Sequence, residues 1–439
     1  MNDVETAEPQ SGLVMLAICA VVAGTVGGVI GVLFRFTLES ADRLRNAFVG
    51  WAHSEHVLGF VLVLLATSAA TALAARLVRR RSPHAVGSGI PHVEAVLKGE
   101  SAPASAALIP VKFIGGVLAI GAGLALGREG PSVQISATIA NELGRLFRRS
   151  ADDCRILIAA GAGAGLATAF NAPIAGAVFV LEELLRRFEM RTAVAALGAS
   201  AAAIAVARVL HGDAPDFQFG GAPLPGFGTV PAYLVLGIIT GLLGTAYCRT
   251  ILWTLAAADR LSRRPSEARA ALIGAVAGLL AWFAPELAGG GDPLTQRAIS
   301  GIGALSTIAL AFVIRFGFGA ISYAAATPGG LFAPMLVLGA QIGLVCGRIA
   351  SVQFPNVPSD PSAFAVVGMA AFFTAVVRAP LTGIVLVTEM TGNYTLLLPM
   401  LTASFAAMIV PIALRCPPIY DSLSERLPHE RSRAAKPVT

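Results

Sequence analysis

Apolar segments recur along almost all of this 439-residue chain, and several of them are interrupted near the middle by glycine and proline. The sharpest interruption lies within residues 123–133, Gly-Leu-Ala-Leu-Gly-Arg-Glu-Gly-Pro-Ser-Val, which sets Glu129 between apolar flanks. A carboxylate at bilayer depth is costly, so an ionisable residue there marks a functional site. The Gly-x-x-Gly-Pro pattern around it stops one helix and starts another. Helices broken at the midplane are how transporters assemble ion sites.

Composition sets the class. Hydrophobic residues make up 55% of the chain and charged residues only 13%, where a soluble domain carries about 25%. The reading is an all-α polytopic membrane protein. Apolar segments fall at 12–36, 57–78, 104–126, 156–181, 192–210, 229–256, 270–288, 299–323, 331–350, 363–377 and 379–414. Several are shorter than the ~20 residues that a perpendicular span needs, which predicts tilted and half-spanning helices. Arginines cluster at 76–81, 145–155, 186–191 and 260–269 and in the C-terminal tail. They separate apolar segments as cytoplasmic loops do, so the net charge of +6 is no signature of nucleic-acid binding. The first eleven residues hold three acids and no Lys or Arg, which is wrong for a signal peptide. Cys19, Cys154, Cys248, Cys346 and Cys416 show no paired spacing, giving neither a disulfide frame nor a metal site. His53 and His56 lack a third ligand, and no cofactor is expected.

The chain repeats itself. Ala172-Pro173-Ile174-Ala175-Gly176, an apolar run and Glu182 read against Ala379-Pro380-Leu381-Thr382-Gly383, an apolar run and Glu389, at an offset of 207. Upstream, Lys112-Phe113 matches Arg315-Phe316 and Pro131 matches Pro334, both at an offset of 203. Two halves with corresponding breaks point to a binding site between them. The spacing leaves open whether the halves run parallel or inverted. The predicted organisation is an N-terminal tail at 1–11, membrane repeats at 12–212 and 213–423, and a C-terminal tail at 424–439.

Three breaks carry the chemistry. They are Gly87-Ser88-Gly89-Ile90-Pro91, Gly127-Arg128-Glu129-Gly130-Pro131 and Gly330-Leu331-Phe332-Ala333-Pro334. Each places proline where a helix begins, a position proline favours. A helix N-terminus offers unpaired N–H groups and partial positive charge. Several of them aimed at one point hold an anion without a full cation, so the ion can also leave. A single Gly-Pro break reads equally well as a plain helix end; three, one of them carrying a glutamate, do not.

These three segments resemble the selectivity filter of the CLC chloride channels and chloride/proton antiporters, and Tyr420 in Pro418-Ile419-Tyr420 matches that family's inner anion-contacting tyrosine. The resemblance runs from about 12 to 423. It implies two inverted repeats of tilted, partly broken helices and a homodimer with one pore per subunit. It also implies a bacterial plasma membrane and chloride and protons as the transported ions; the C-terminal regulatory domain frequent in that family is not expected, since few residues follow 423. Ser88, Leu331, Phe332 and Tyr420 would contact the anion, Leu331 and Phe332 through backbone N–H. Glu129 would be gate and proton carrier, and Glu183 the inner proton-transfer glutamate. The chain departs from the family at His92, where glutamate is usual, while Glu94 is retained. His92 is expected to face an aqueous vestibule or a subunit contact.

Each role has a plainer competitor. Glu129 could be a structural partner of Arg128, itself read as structural or, with Lys112, as raising the local potential. Glu183 could be a surface ion pair with Arg186 and Arg187, and Tyr420 a membrane-interface tyrosine. Glu182 and Glu389 align with each other, which suggests one shared structural role, as do Asn171 and Arg378. Ser88 with His84 or His92 could be an intramembrane protease pair, but a nucleophile and its base normally come from different elements. By the resemblance, serine at 88 argues against fluoride export and against nitrate selectivity. Glu183 favours coupled exchange over a passive voltage- or pH-gated chloride channel. The reading is a chloride/proton antiporter and not an enzyme.

Overall fold

The computed structural model describes residues 10–221, 226–260, 265–353 and 360–427. Most of the two predicted tails, 1–9 and 428–439, lies outside them. The described residues form seventeen α-helices, eight of them long and apolar enough to cross a membrane. In order they are α1 (Gln10–Ser54), α2 (His56–Arg81), α3 (Ile90–Lys98), α4 (Leu108–Gly121), α5 (Glu129–Leu146), α6 (Ala151–Phe170), α7 (Pro173–Phe179) and α8 (Met190–His211). The second half holds α9 (Val230–Arg260), α10 (Ser266–Phe283), α11 (Asp292–Ile299), α12 (Leu305–Tyr323), α13 (Phe332–Gln353), α14 (Pro361–Val377), α15 (Pro380–Thr391), α16 (Leu397–Ala413) and α17 (Ile419–Ser424).

The halves correspond helix for helix up to α8 and α16. Each opens with a long helix carrying a glycine stripe. A Cβ at Gly24 would lie 2.1 Å from the Ala199 carbonyl oxygen of α8, and one at Gly237 2.3 Å from that of Ala403 in α16. Such small-residue faces let membrane helices approach backbone to backbone. α6 and α14 sit at the centre of their halves, almost wholly buried. Exposed apolar side chains such as Leu33, Leu58, Leu65 and Trp253 lie on the outer helices α1, α2 and α9, where lipid would cover them.

Three predicted segments have different bounds. The first continues from residue 36 to Ser54 because its charges find partners within the fold: Arg35 pairs with Glu39 at 3.1 Å and Asp216 at 2.8 Å, and Arg45 with Asp42 at 2.7 Å. The segment 156–181 is two helices, since Asn171 turns into the left-handed region at φ 50° and Pro173 starts α7. Arg378 takes the same conformation at φ 74° before Pro380, so the matched pair Asn171 and Arg378 do share a structural role. The segment 379–414 divides after Thr391, where Gly392 turns left-handed at φ 63°.

The repeats are inverted. Glu182, at the end of the first repeat's short helix, accepts from the backbone N–H groups of Leu381 and Thr382 at the start of α15. Glu389, at the end of α15, accepts from those of Ile174 and Ala175 at the start of α7. Two packed helices that each end at the other's beginning are antiparallel. The carboxylates serve as caps for N–H groups that have no partner within the helix.

Candidate functional site

The broken segments converge because their backbones pair across the repeats. Gly127 and Gly330 exchange two hydrogen bonds, N–H to O distances 2.9 and 2.8 Å. The Gly87 N–H donates to the Thr327 carbonyl and the Gly329 N–H to the Gly87 carbonyl, both at 3.0 Å. Gly87 and Gly89 stand at φ 62° and 87°, a region that side chains disfavour. α3, α5 and α13 therefore begin close to one another, each from one break. Gly130 brings the second segment against the first: a Cβ there would fall 2.5 Å from Ser88 Oγ.

At the convergence, Glu129 Oε1 accepts a 2.7 Å hydrogen bond from the Phe332 N–H. The carboxylate is fully buried and its Oε2 has no hydrogen-bond partner. It fits only between glycines, since a Cβ at Gly127 or Gly330 would lie 2.0 or 2.2 Å from its oxygens. An acidic side chain thus sits at the N-terminus of α13, where a free anion would be favoured. Deeper in, the hydroxyls of Ser88 and Tyr420 are neighbours, both fully buried and neither with a formed hydrogen bond. The Tyr420 ring stacks on Phe332 with centroids 5.9 Å apart. Phe170, Phe179 and Phe373 pack around the same Phe332 ring. Leu331 is also fully buried.

Two cavities border the broken segments. One of about 110 Å³ is lined by Arg35, Arg128, Asp216, Phe217, Asp292 and Gly127 among others. Another, of about 230 Å³, is lined by His84, Gly87, Gly89, His92 and Tyr323 among others. Ser88, Glu129, Phe332 and Tyr420 are fully buried and line neither of them.

Arg128 does not pair with Glu129. Its Nε donates to the Ala169 carbonyl at 2.9 Å, and its terminal nitrogens lie 3.4 Å from Asp216 and Asp292. The side chain lines the cavity of about 110 Å³, leaving the Glu129 carboxylate to the α13 terminus. Lys112, fully buried, donates to the Ala85 and Gly87 carbonyls at 3.1 and 2.8 Å. Its repeat counterpart Arg315 donates to the Leu287, Gly289 and Gly290 carbonyls at 3.0, 2.6 and 2.8 Å. Each buried cation clamps the loop that precedes a broken-segment helix, and Lys112 reaches the first broken segment itself at Gly87.

Glu182 and Glu183, consecutive on the π-turn Val180–Leu184 that continues α7, point to different places, as adjacent helical residues do. Such turns are rare and frequent at functional sites. Glu182 reaches the α15 terminus, while Glu183 is buried, 2% exposed, with Oε1 free of hydrogen bonds. Arg186 lies 3.9 Å from it. The contact is with a buried carboxylate, so it is not the surface ion pair that the neighbouring arginines suggest. His92 is buried as well, its Nδ1 3.3 Å from the Gln134 amide and its ring 4.7 Å from that of His84. The imidazole packs against α5 and lines the cavity of about 230 Å³. His53 stacks on Trp282 at 3.9 Å.

Sequence reading missed a fourth break, Gly289-Gly290-Gly291-Asp292-Pro293, which opens α11. An offset of 202, one less than that of the upstream pairs, relates Pro91 to Pro293. Asp216 and Asp421 were missed too; both lie in poorly patterned stretches, and only the fold brings them to the arginines.

Residues 69–411 match the family described as voltage gated chloride channel. The chain is 37% identical over 419 residues to the H(+)/Cl(-) exchange transporter ClcA of Vibrio cholerae, covering 93% of this chain and 88% of that protein. It is 36% identical over 417 residues to the protein of the same name from Citrobacter koseri, covering 94% and 88%. A solved slow cyanobacterial Cl-/H+ antiporter superposes with a TM-score of 0.90 at 33% identity, over 94% of this chain and 97% of that one. With three glycine-rich segments meeting at one buried glutamate and likeness running nearly end to end, the chain belongs to the voltage-gated chloride channel family.

Proposed function

We propose that this protein is a secondary active antiporter that exchanges chloride for protons across a bacterial plasma membrane. The observation that carries the reading is the Glu129 carboxylate bound to the Phe332 N–H. A tethered anion occupies the position that a free anion would take. Protonation removes its charge and with it the attraction of the helix terminus. The side chain then leaves, and chloride takes the N–H groups. Ser88 and Tyr420 supply hydroxyl donors on the inner side, and Leu331 and Phe332 supply backbone donors. Buried hydroxyls without partners are costly, and an anion would satisfy both at once. Glu129 serves both ions, so chloride entry and proton exit alternate at one place.

Glu183 passes the proton to the cytoplasmic side. Its burial beside the basic turn at 186–191 fits a relay, since a positive-inside loop marks the cytoplasmic face. A passive channel would need no second acid here. The family's homodimer is supported by exposed apolar residues on the paired helices, Ile174 and Leu381 at 55% and 56% exposure, continued by Phe405 on α16. The deciding experiment is the reversal potential of the protein in liposomes under opposed chloride and pH gradients. An exchanger's reversal potential moves with the pH gradient; a reversal fixed by chloride alone would overturn the antiporter reading.

A further inference from the structure

Five charged side chains meet just inside the inner hydroxyls. Glu94 and Lys98 come from α3, the helix that Ser88 leads into. Glu183 comes from the π-turn, Arg186 from the turn that follows, and Asp421 from α17, next to Tyr420. Arg186 is the hub. Its terminal nitrogen lies 2.7 Å from Asp421, 3.6 Å from Glu94 and 3.9 Å from Glu183. Lys98 lies 2.8 Å from Glu94 and 3.9 Å from Asp421. Arg155 on α6 also faces the region, and donates to the Leu97 carbonyl at the end of α3. Glu182 points away to α15, and Arg187 pairs with Glu189 at 3.4 Å.

The charge count of this hub is informative. Among the five side chains in mutual contact, three carboxylates face two cations, so one added proton brings those five to neutrality, while Arg155 is held on the Leu97 carbonyl. Glu94 and Glu183 are buried, and each keeps one oxygen without a hydrogen bond, Oε2 and Oε1 respectively. These two are therefore where the proton is accommodated. Asp421 is part-exposed and engaged with Arg186. Arg186 adopts φ 52°, a left-handed conformation uncommon for a residue with a side chain. That backbone turns its guanidinium back across the π-turn toward α3 and α17.

Resting on the antiporter reading, we propose that Arg186 is a positioning residue that links the proton on the Glu94–Glu183 pair to the helix bearing Tyr420. With both glutamates ionised, three carboxylates compete for one guanidinium, and the hold on Asp421 is shared. A proton on the pair leaves Asp421 as the main partner, which draws α17 in and sets Tyr420 against Ser88 and Phe332. The geometry described here, with Asp421 nearest, is the held arrangement. Loss of the proton to the cytoplasm loosens α17 and opens the inner anion contact. Proton release and inward chloride release are then timed by one side chain that touches neither ion.

The test uses full-length protein in liposomes, with chloride and protons as the probes, and compares wild type with Arg186→Gln, Asp421→Asn, their combination and Arg186→Lys. Arg186→Gln and Asp421→Asn should each raise the number of chlorides moved per proton and flatten the dependence of chloride flux on internal pH. The combined variant should have a chloride-to-proton ratio within about twofold of either single one, because both break the same contact. Arg186→Lys should recover part of the coupling, since it keeps the charge but loses the fork. If chloride and proton fluxes fell in equal proportion with the ratio unchanged, or the single effects multiplied in the combination, Arg186 would be only structural and the proposal overturned. Should Arg186→Gln not fold, Asp421→Asn with its pH profile decides by the same criteria. A wild type that moved no protons would overturn the antiporter reading itself, an outcome distinct from coupled wild type with coupled variants.

Discussion

Glu182 and Glu389 do the same job for each other's helix. The Glu182 carboxylate accepts from Leu381 N–H at 3.0 Å, Thr382 N–H at 2.6 Å and Thr382 Oγ1 at 2.7 Å. Glu389 accepts from Ile174 N–H at 3.1 Å and Ala175 N–H at 2.8 Å. An internal match in sequence has become a reciprocal clasp in space.

Removing either cap should cost stability. Glu182→Ala and Glu389→Ala should each lose about 1–2 kcal/mol, in the range measured for lost N-caps, and Gln should cost less because it keeps an acceptor oxygen. Thermal unfolding of the purified protein in detergent checks this. Unchanged midpoints for both alanine variants would mean that the clasp contributes nothing.

Glu129→Gln mimics the protonated gate permanently. Proton movement should vanish while chloride continues to flow, uncoupled. The same logic gives wild type a pH dependence: acidification favours the neutral carboxyl, which has no charge to hold at α13, so chloride access should rise as pH falls. Chloride efflux and proton uptake recorded together in liposomes distinguish these effects.

Glu183→Gln should also abolish proton movement, yet chloride should still pass with Glu129 intact. The measurement is proton pumping driven by a chloride gradient. Pumping at the wild-type rate would remove Glu183 from the mechanism.

Ser88→Pro removes a hydroxyl donor from the inner contact. Nitrate flux relative to chloride should rise and coupling should loosen. Comparable nitrate-to-chloride ratios in variant and wild type would count against Ser88 as a ligand.

Tryptophan at Ile174 and Leu381 together should break the dimer while each separate subunit keeps exchanging ions. Sedimentation or cross-linking reports the assembly, and liposome flux reports the pore. A folded monomer without transport would place the pore between subunits.

Much of this arrangement was legible in residues. Glycine and proline can stop a membrane helix at a defined point, so the three broken segments and their helix starts stood out. The offsets between Lys112 and Arg315, and between Glu182 and Glu389, marked pairs that the fold gives matched tasks. What stayed hidden depends on distance in three dimensions. The partners of Arg128 are Asp216 and Asp292, 88 and 164 residues away, and nothing local distinguishes them from Glu129 next door. The burial of His92 follows from α5 packing over it, which no pattern on α3 reveals. The π-turn at Val180–Leu184 has no sequence mark either.

The pairing of Gly127 with Gly330 and the bond from Phe332 to Glu129 both cross the boundary between repeats. Neither half can complete this junction alone: one supplies the Glu129 carboxylate, the other the Phe332 N–H that binds it. A chain comprising a single repeat would need a second copy inserted upside down in the same bilayer before this junction could form. Joining two such copies end to end fixes one of each orientation in every molecule, and it frees the two halves to diverge, one keeping the glutamate and the other the empty-handed helix end that receives it.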